Sequence, residues 1–402
     1  MTHRSGRVLA IGLPICFAVG LCVTQTNAEW TVVRLQPASA TTSKAYGAAN
    51  GVQAGIARIG GQDVASWWSN SSESWRSLNP DGARTSVAYG ADGAQQVGVA
   101  EISGTSRASL WSGTQGSWVD LHPDGANLSA AFAIFGHQQG GHVDGHASLW
   151  KGSAATWIDL HPATEQESVV FGISKNQQVG YTKPPKGMTR AALWSSSATS
   201  WVDLHPAKAF SSTAYSVDDD QQVGQVQFLS DSHAVCWKGT ASSCVDLHPK
   251  GALSSVARSI SQGKQVGSAS VQGRTHASYW EGTASSWVDL HSFIANEFDS
   301  SYASAIWVEG NVVRVTGFGF HTSNHTSEAL LWINTIACQS DFNEDGAVDE
   351  LDFLIFAAEY ELAVCDDPAM MTSCPADLNR DDAVNDADFV VFVQAYARMT
   401  CQ

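Results

Sequence analysis

Residues 146–162 read HASLWKGSAATWIDLHP, and this stretch decides the fold because it returns, with small changes, along the whole middle of a 402-residue chain. The leucine of its Asp-Leu pair recurs as Leu35, Leu78, Leu121, Leu160, Leu204, Leu247 and Leu290, at intervals of 43, 43, 39, 44, 43 and 43. The tryptophan closing its first half recurs as Trp68, Trp111, Trp150, Trp194, Trp237, Trp280 and Trp332. Two markers counted independently therefore give seven copies of one unit. Inside a unit, four short segments of strand character are divided by Gly, Ser, Asn and Pro, as at 168–172, 178–181, 191–194 and 201–204. No segment between them has the length and 3.6-residue apolar spacing of an amphipathic helix. Four strands in a unit of about 43 residues is the arithmetic of a propeller blade. The predicted fold is mainly β, a seven-bladed β-propeller, with a small α-helical domain after it. An open β-solenoid is the alternative, set second because solenoid repeats are shorter and carry fewer strands.

A four-stranded blade has two apolar faces that only its neighbours can cover, and large flat side chains fill that space. The Trp150/Trp157 and Trp194/Trp201 pairs, each seven residues apart, mark a fixed hairpin between third and fourth strands. A residue present once per blade reads as structural. One copy departs: Cys236 replaces the leucine before Trp237, and Cys244 replaces the second tryptophan. A disulfide across that hairpin is predicted. The repeat also begins with a fourth-strand segment at 32–37, while the last three strands, within 301–333, lack one. The N-terminal segment should complete the last blade and remove an open edge.

Arg4 and Arg7 precede an apolar run from 8 to 23 that ends in Thr26-Asn27-Ala28. This is the pattern of a signal peptide, residues 1–28, cleaved after Ala28. The run is shorter than the ~20 residues of a spanning helix. A secreted or extracytoplasmic protein without a transmembrane segment is expected. Six cysteines then remain, Cys236, Cys244, Cys338, Cys365, Cys374 and Cys401, an even number that reads as disulfides. The net charge of −17 is uneven: residues 338–402 hold fifteen Asp or Glu against Arg380 and Arg398. Such a surface excludes nucleic acid and offers the clustered oxygens that a hard divalent cation takes.

That acidic region is a duplication with an offset of 36. Cys338, Asp341, Asn343, Asp345, Asp349, Asp352, Phe353, Phe356, Tyr360 and Cys365 map onto Cys374, Asp377, Asn379, Asp381, Asn385, Asp388, Phe389, Phe392, Tyr396 and Cys401. In the first copy Asp341, Asn343, Asp345, the backbone carbonyl of Ala347, Asp349 and Asp352 stand at positions 1, 3, 5, 7, 9 and 12 of a calcium loop. Asp377, Asn379, Asp381, Ala383, Asn385 and Asp388 repeat the set. Two Ca2+ sites follow, the second weaker, because Asp382 replaces the turn glycine and Asn385 removes a carboxylate. A helix after each loop is predicted, as the stripe Phe353, Phe356, Ala357 and Tyr360 shows for the first. Duplication favours bonds internal to each copy, Cys338 with Cys365 and Cys374 with Cys401, among three connectivities.

The propeller repeat resembles the extracellular HAF repeats through Gly172-Ile173-Ser174, Gln178-Val179-Gly180, His146-Ala147-Ser148-Leu149-Trp150 and Asp159-Leu160. Ser or Val stands where that family has Phe in its triplet. The resemblance implies a secreted propeller-like domain, here 29–335, and no defined activity. Residues 336–402, with Asp at position 12 and no helix before the loop, resemble a type I dockerin. That resemblance implies calcium-dependent docking onto a cohesin-like or cell-surface protein. The positions that carry cohesin recognition in many dockerins hold Glu350-Leu351 and Asp386-Ala387 rather than Ser-Thr.

The function expected from these features is a secreted, non-catalytic binding or scaffold protein. Its propeller would recognise a glycan or protein ligand, and its C-terminal module would attach it to a surface or complex. The alternative is a polysaccharide-active hydrolase or lyase with a propeller catalytic domain carried by a dockerin. A hydrolase needs two converging carboxylates. The densest acidic run in the repeats, Asp218-Asp219-Asp220, falls where other copies place a turn. His122, His161, His205, His248 and His291 recur once per blade, too far apart to share one ion, and read as turn residues.

Overall fold

A computed structural model describes residues 30–335, 340–343, 348–362, 365, 374–378 and 383–396. The segment read as a signal peptide lies outside them. Residues 31–335 form seven four-stranded antiparallel sheets, the predicted propeller. Six blades are meanders of consecutive strands. The seventh joins Phe298–Glu309, Val312–His321 and Ser327–Thr335 to the N-terminal strand Thr31–Arg34. Thr31 pairs with Ile333 and Arg34 with Leu330, so the ring closes as the order of parts required.

The seven marker tryptophans and seven marker leucines are all fully buried. Trp150 packs on Val97, Leu110 and Leu121 of the preceding blade, which shows how each indole fills the space between two sheets. Burying one such side chain contributes roughly 4–6 kcal/mol by area. The second tryptophan has a polar task as well. Nε1 of Trp75, Trp118, Trp157 and Trp287 donates to the hydroxyls of Ser66, Ser109, Ser148 and Ser278 at 3.0, 3.0, 2.9 and 3.0 Å. In the blade of Trp194 the matching residue is Ala192, and the buried Nε1 of Trp201 meets no acceptor. Ala192→Ser should restore the bond and raise stability by about 1 kcal/mol. Urea denaturation would test this, and an unchanged or lower midpoint would refute it.

The predicted Cys236–Cys244 bond is corrected: both are free thiols. Cys236 pairs in register with Val245, so Cys244, one residue earlier, projects to the other face of the blade. Cys236 packs with Val223, Leu247 and Ala257, whereas Cys244 packs with Val226, Val235 and Trp237. Burial pushes the Cys244 thiol up to about 12, with the nearby Cys236 adding to it.

The recurring histidines form a clamp between consecutive blades. Nδ1 of His122, His161, His205, His248 and His291 lies 2.8, 2.8, 2.8, 2.8 and 2.9 Å from the hydroxyls of Ser129, Ser168, Ser212, Ser255 and Ser301 in the next blade. Each hydroxyl accepts from a backbone N–H of the earlier blade, as Ser129 does from Ala108 at 2.8 Å. Nε2 faces a carbonyl oxygen in four copies, 3.1 Å from Ala126 for His122. A carbonyl only accepts, so Nε2 carries the proton and Nδ1 receives the serine O–H. At the ring closure Gln36 supplies the acceptor for Ser43, and between the first two blades Asn79 does so for Ser86.

In the C-terminal region α1 (Glu350–Tyr360) and α2 (Asp386–Tyr396) pack through Phe356 and Phe392, whose ring centroids are 5.0 Å apart, with Val348, Val384, Ala376 and Leu378 around them. Of the predicted stripe, Phe356 is buried while Phe353 is 42% exposed. The favoured disulfides within each copy are corrected too. Cys365 bonds to Cys374, nine residues on, because the two copies pack face to face and bring the end of one to the start of the other. Cys338 and Cys401 lie outside the described residues.

Candidate functional site

The Gln-Val-Gly strand has a physical purpose that leads to a site. Gly55, Gly98, Gly141, Gly180, Gly224, Gly267 and Gly317 each lie across from a β-bulge in the innermost strand. A Cβ at Gly98 would sit 1.9 Å from the Val87 carbonyl oxygen. Only glycine lets the bulged strand come this close. The extra residue of each bulge is left out of the ladder. In chain order these residues are Tyr46, Tyr89, Phe132, Phe171, Tyr215, Arg258 and Ser304, one per blade. A second close approach brings neighbouring bulges together, since a Cβ at Gly47 would lie 2.6 Å from the Tyr89 carbonyl oxygen.

The bulged residues line a cup of about 450 Å³, with Ser268, Tyr302, Ala303 and Phe318 completing the wall. Centroid separations from Tyr46 to Tyr89, Phe132, Phe171 and Tyr215 are 5.8, 5.2, 5.4 and 5.6 Å along the row, a continuous arc of tilted and edge-on rings. The Arg258 guanidinium continues it, 4.1 Å from the centre of the Tyr215 ring. Lys44 lies 4.9 Å from the centre of Phe318. Burial, then the charge of Tyr89 and Asp63, pushes the Tyr46 phenol up to about 12, and burial raises Tyr89 as well. Both are neutral hydroxyls at pH 7. The sequence held a signal for this row: its first six members are spaced 43, 43, 39, 44 and 43, the spacing of the marker leucines. Without the bulge, alternation alone does not say that these aromatics face the axis rather than a neighbouring blade.

Of the loop residues, Asp352 is fully buried and holds its loop together. One oxygen accepts from the backbone N–H of Phe342 at 2.7 Å and of Asn343 at 3.2 Å, the other from Asp349 at 2.9 Å. Asp349 caps α1 by accepting from Leu351 at 2.8 Å. In the second copy Asp388, also fully buried, accepts from Asn385 at 2.9 Å, and Asn385 from Ala387 at 2.8 Å. Asp341, Asp377 and Ala383 are described, whereas Asp345, Ala347, Asn379 and Asp381 lie outside the described residues. Among the described residues no three His, Cys, Asp or Glu side chains converge. The Asp218–Asp220 run begins at a strand end and fills the turn, as expected, and Asp219 pairs with Lys175. No described helix is long and apolar enough to cross a membrane.

No family profile and no curated protein matches the chain. Among solved structures it is similar to puromycin hydrolase, at 10% identity and TM-score 0.49 over 71% of this chain and 53% of that one. It is similar to the β-propeller domain of the Trilobed protease from Pyrococcus furiosus, at 9% and 0.49 over 73% and 94%. It is similar to oligogalacturonate lyase at 9% and 0.38 over 77% and 98%. The chain spans about half the length of the puromycin hydrolase chain, and likenesses this remote speak to the fold alone. The propellers found are parts of hydrolases and a lyase, not of the non-catalytic binding or scaffold protein expected from the sequence. That expectation finds no counterpart among them and is corrected.

Proposed function

We propose that the chain is a polysaccharide-active hydrolase or lyase whose propeller seats a sugar in the axial cup. The observation that carries this is the bulge row, which points five aromatic side chains and one guanidinium at a single axis. Sugar rings present electropositive C–H faces that stack on aromatic π faces, while tyrosine hydroxyls and a guanidinium meet their polar edges. Among the described residues no carboxylate lines the cup. Of the two chemistries, elimination therefore fits the cup better than hydrolysis by a carboxylate pair. Incubation with a polysaccharide panel should release new chain ends, read as unsaturated or reducing products, and Tyr89→Ala should abolish release without unfolding the protein. A panel that yields no product, together with no bound glycan, would refute the reading.

We also propose that residues 1–28 export the protein and that 336–402 form a dockerin-like module attaching the HAF-like propeller, 29–335, to a cohesin-like or surface partner. The donor set supports two Ca2+ ions: every residue assigned to the loops offers oxygen, from its side chain or, at Ala347 and Ala383, from its backbone carbonyl, and Asp352 and Asp388 anchor loop to helix at equivalent places. When bound, the cation neutralises carboxylates that otherwise repel. All fifteen tryptophans lie in the repeats, so their fluorescence follows the propeller alone. Chelation should remove the helical signal and leave the tryptophan transition unchanged, with Asp352→Ala behaving alike. An unchanged helical signal, with no heat on calcium titration, would end the proposal.

A further inference from the structure

We infer that the cup takes a carboxylate-bearing sugar, a hexuronate residue, oriented by Arg258; this rests on the reading of the cup as a sugar subsite. Arg258 is the only charged residue among the described residues of the lining. It is also alone among the described arginines in meeting neither a carboxylate nor a carbonyl. Arg34, Arg58, Arg84, Arg107, Arg190, Arg274 and Arg314 have acidic partners, and Arg76 donates to the Trp75 carbonyl. Arg258 has only the Tyr215 face, at 4.1 Å. The stacked ring holds the planar guanidinium side-on and leaves its N–H edge for a ligand. Ser304, the bulged residue of the next blade, is small, so the aromatic row is interrupted beside the guanidinium.

A free guanidinium fork in an aromatic cup matches one group best, a planar carboxylate bound through two parallel N–H···O bonds. On a chain of net charge −17 a cationic site does not arise from the general surface field. Lys44, against Phe318, adds a second positive charge beside the wall. A carboxylate on a pyranose satisfies both features: the ring face stacks on the aromatic arc while the acid reaches Arg258.

Calorimetric titration of the full chain with trisaccharides of mannuronate and of galacturonate, and with their carboxyl-reduced counterparts, tests the inference. At least one uronate should bind about tenfold or more tightly than its neutral counterpart. Arg258→Gln should erase that difference by weakening the uronate far more than its neutral counterpart. Arg258 is exposed, so the variant is expected to fold; unchanged tryptophan fluorescence checks this. Equal binding of acid and neutral sugars, or an unchanged preference in Arg258→Gln, would overturn the hexuronate inference and leave the sugar cup standing. Binding of a sulfated galactan in preference to both uronates would overturn it as well. No binding of any sugar, before or after substitution, would overturn both.

Discussion

Gly98→Ala is expected to destabilise the propeller by at least about 3 kcal/mol and to abolish binding in the cup, although Gly98 touches no ligand. The added methyl would sit 1.9 Å from the Val87 oxygen and 2.9 Å from the Ala88 Cα, both backbone atoms that no rotamer change can move aside. Relief requires the innermost strand to withdraw, and withdrawal undoes the bulge that sends Tyr89 to the axis. One substitution therefore tests whether fold and site share a cause. Gly116→Ala is the control, since no atom would meet its Cβ within 4 Å. Urea denaturation of both variants, beside Tyr89→Ala, separates the effects: Gly98→Ala should lose stability and binding, Tyr89→Ala binding alone, Gly116→Ala neither. A Gly98→Ala protein as stable as the parent would show that the bulge does not depend on the glycine.

Much of the architecture was legible because it repeats. Seven Asp-Leu leucines and seven buried tryptophans come from one requirement, that each blade cover the next, and the missing fourth strand of the last blade foretold its pairing with residues 31–34. The cup was less legible. Tyr46 and Tyr89 carry the repeat spacing, but which way they point depends on an unpaired residue in the ladder, and that follows from the glycine across the strand pair. The Cys236–Cys244 expectation failed for a related reason. Closeness along a hairpin does not settle which face a side chain takes, and a one-residue offset puts the two sulfurs on opposite faces. The disulfide between the C-terminal copies depends on how two copies pack, which duplication alone does not contain.

The histidines were read as turn residues, yet their geometry predicts an acid-sensitive ring. In the clamp Nδ1 must accept the serine O–H while Nε2 holds the proton, so a second proton on the imidazole breaks the contact between blades. Burial holds His161, His205 and His291 below the ordinary histidine value, helped by His146, Arg190 and His276 respectively. The folded state thus favours the neutral ring. Above about pH 6.5, where the unfolded histidines are neutral as well, this contribution is fully present. As pH falls below that value toward the lowered ones, the unfolded chain binds more protons and stability drops. The tryptophan-detected melting temperature should therefore fall between pH 7 and pH 5. Asn79 already plays the acceptor's part without titrating, at 2.5 Å from the Ser86 hydroxyl. Replacing His161, His205 and His291 together by Asn should keep the clamps and flatten the pH dependence, with the larger gain on the acid side. A parent whose melting temperature is the same at both pH values, or a triple variant just as acid-sensitive, would show that the clamp histidines do not carry the effect.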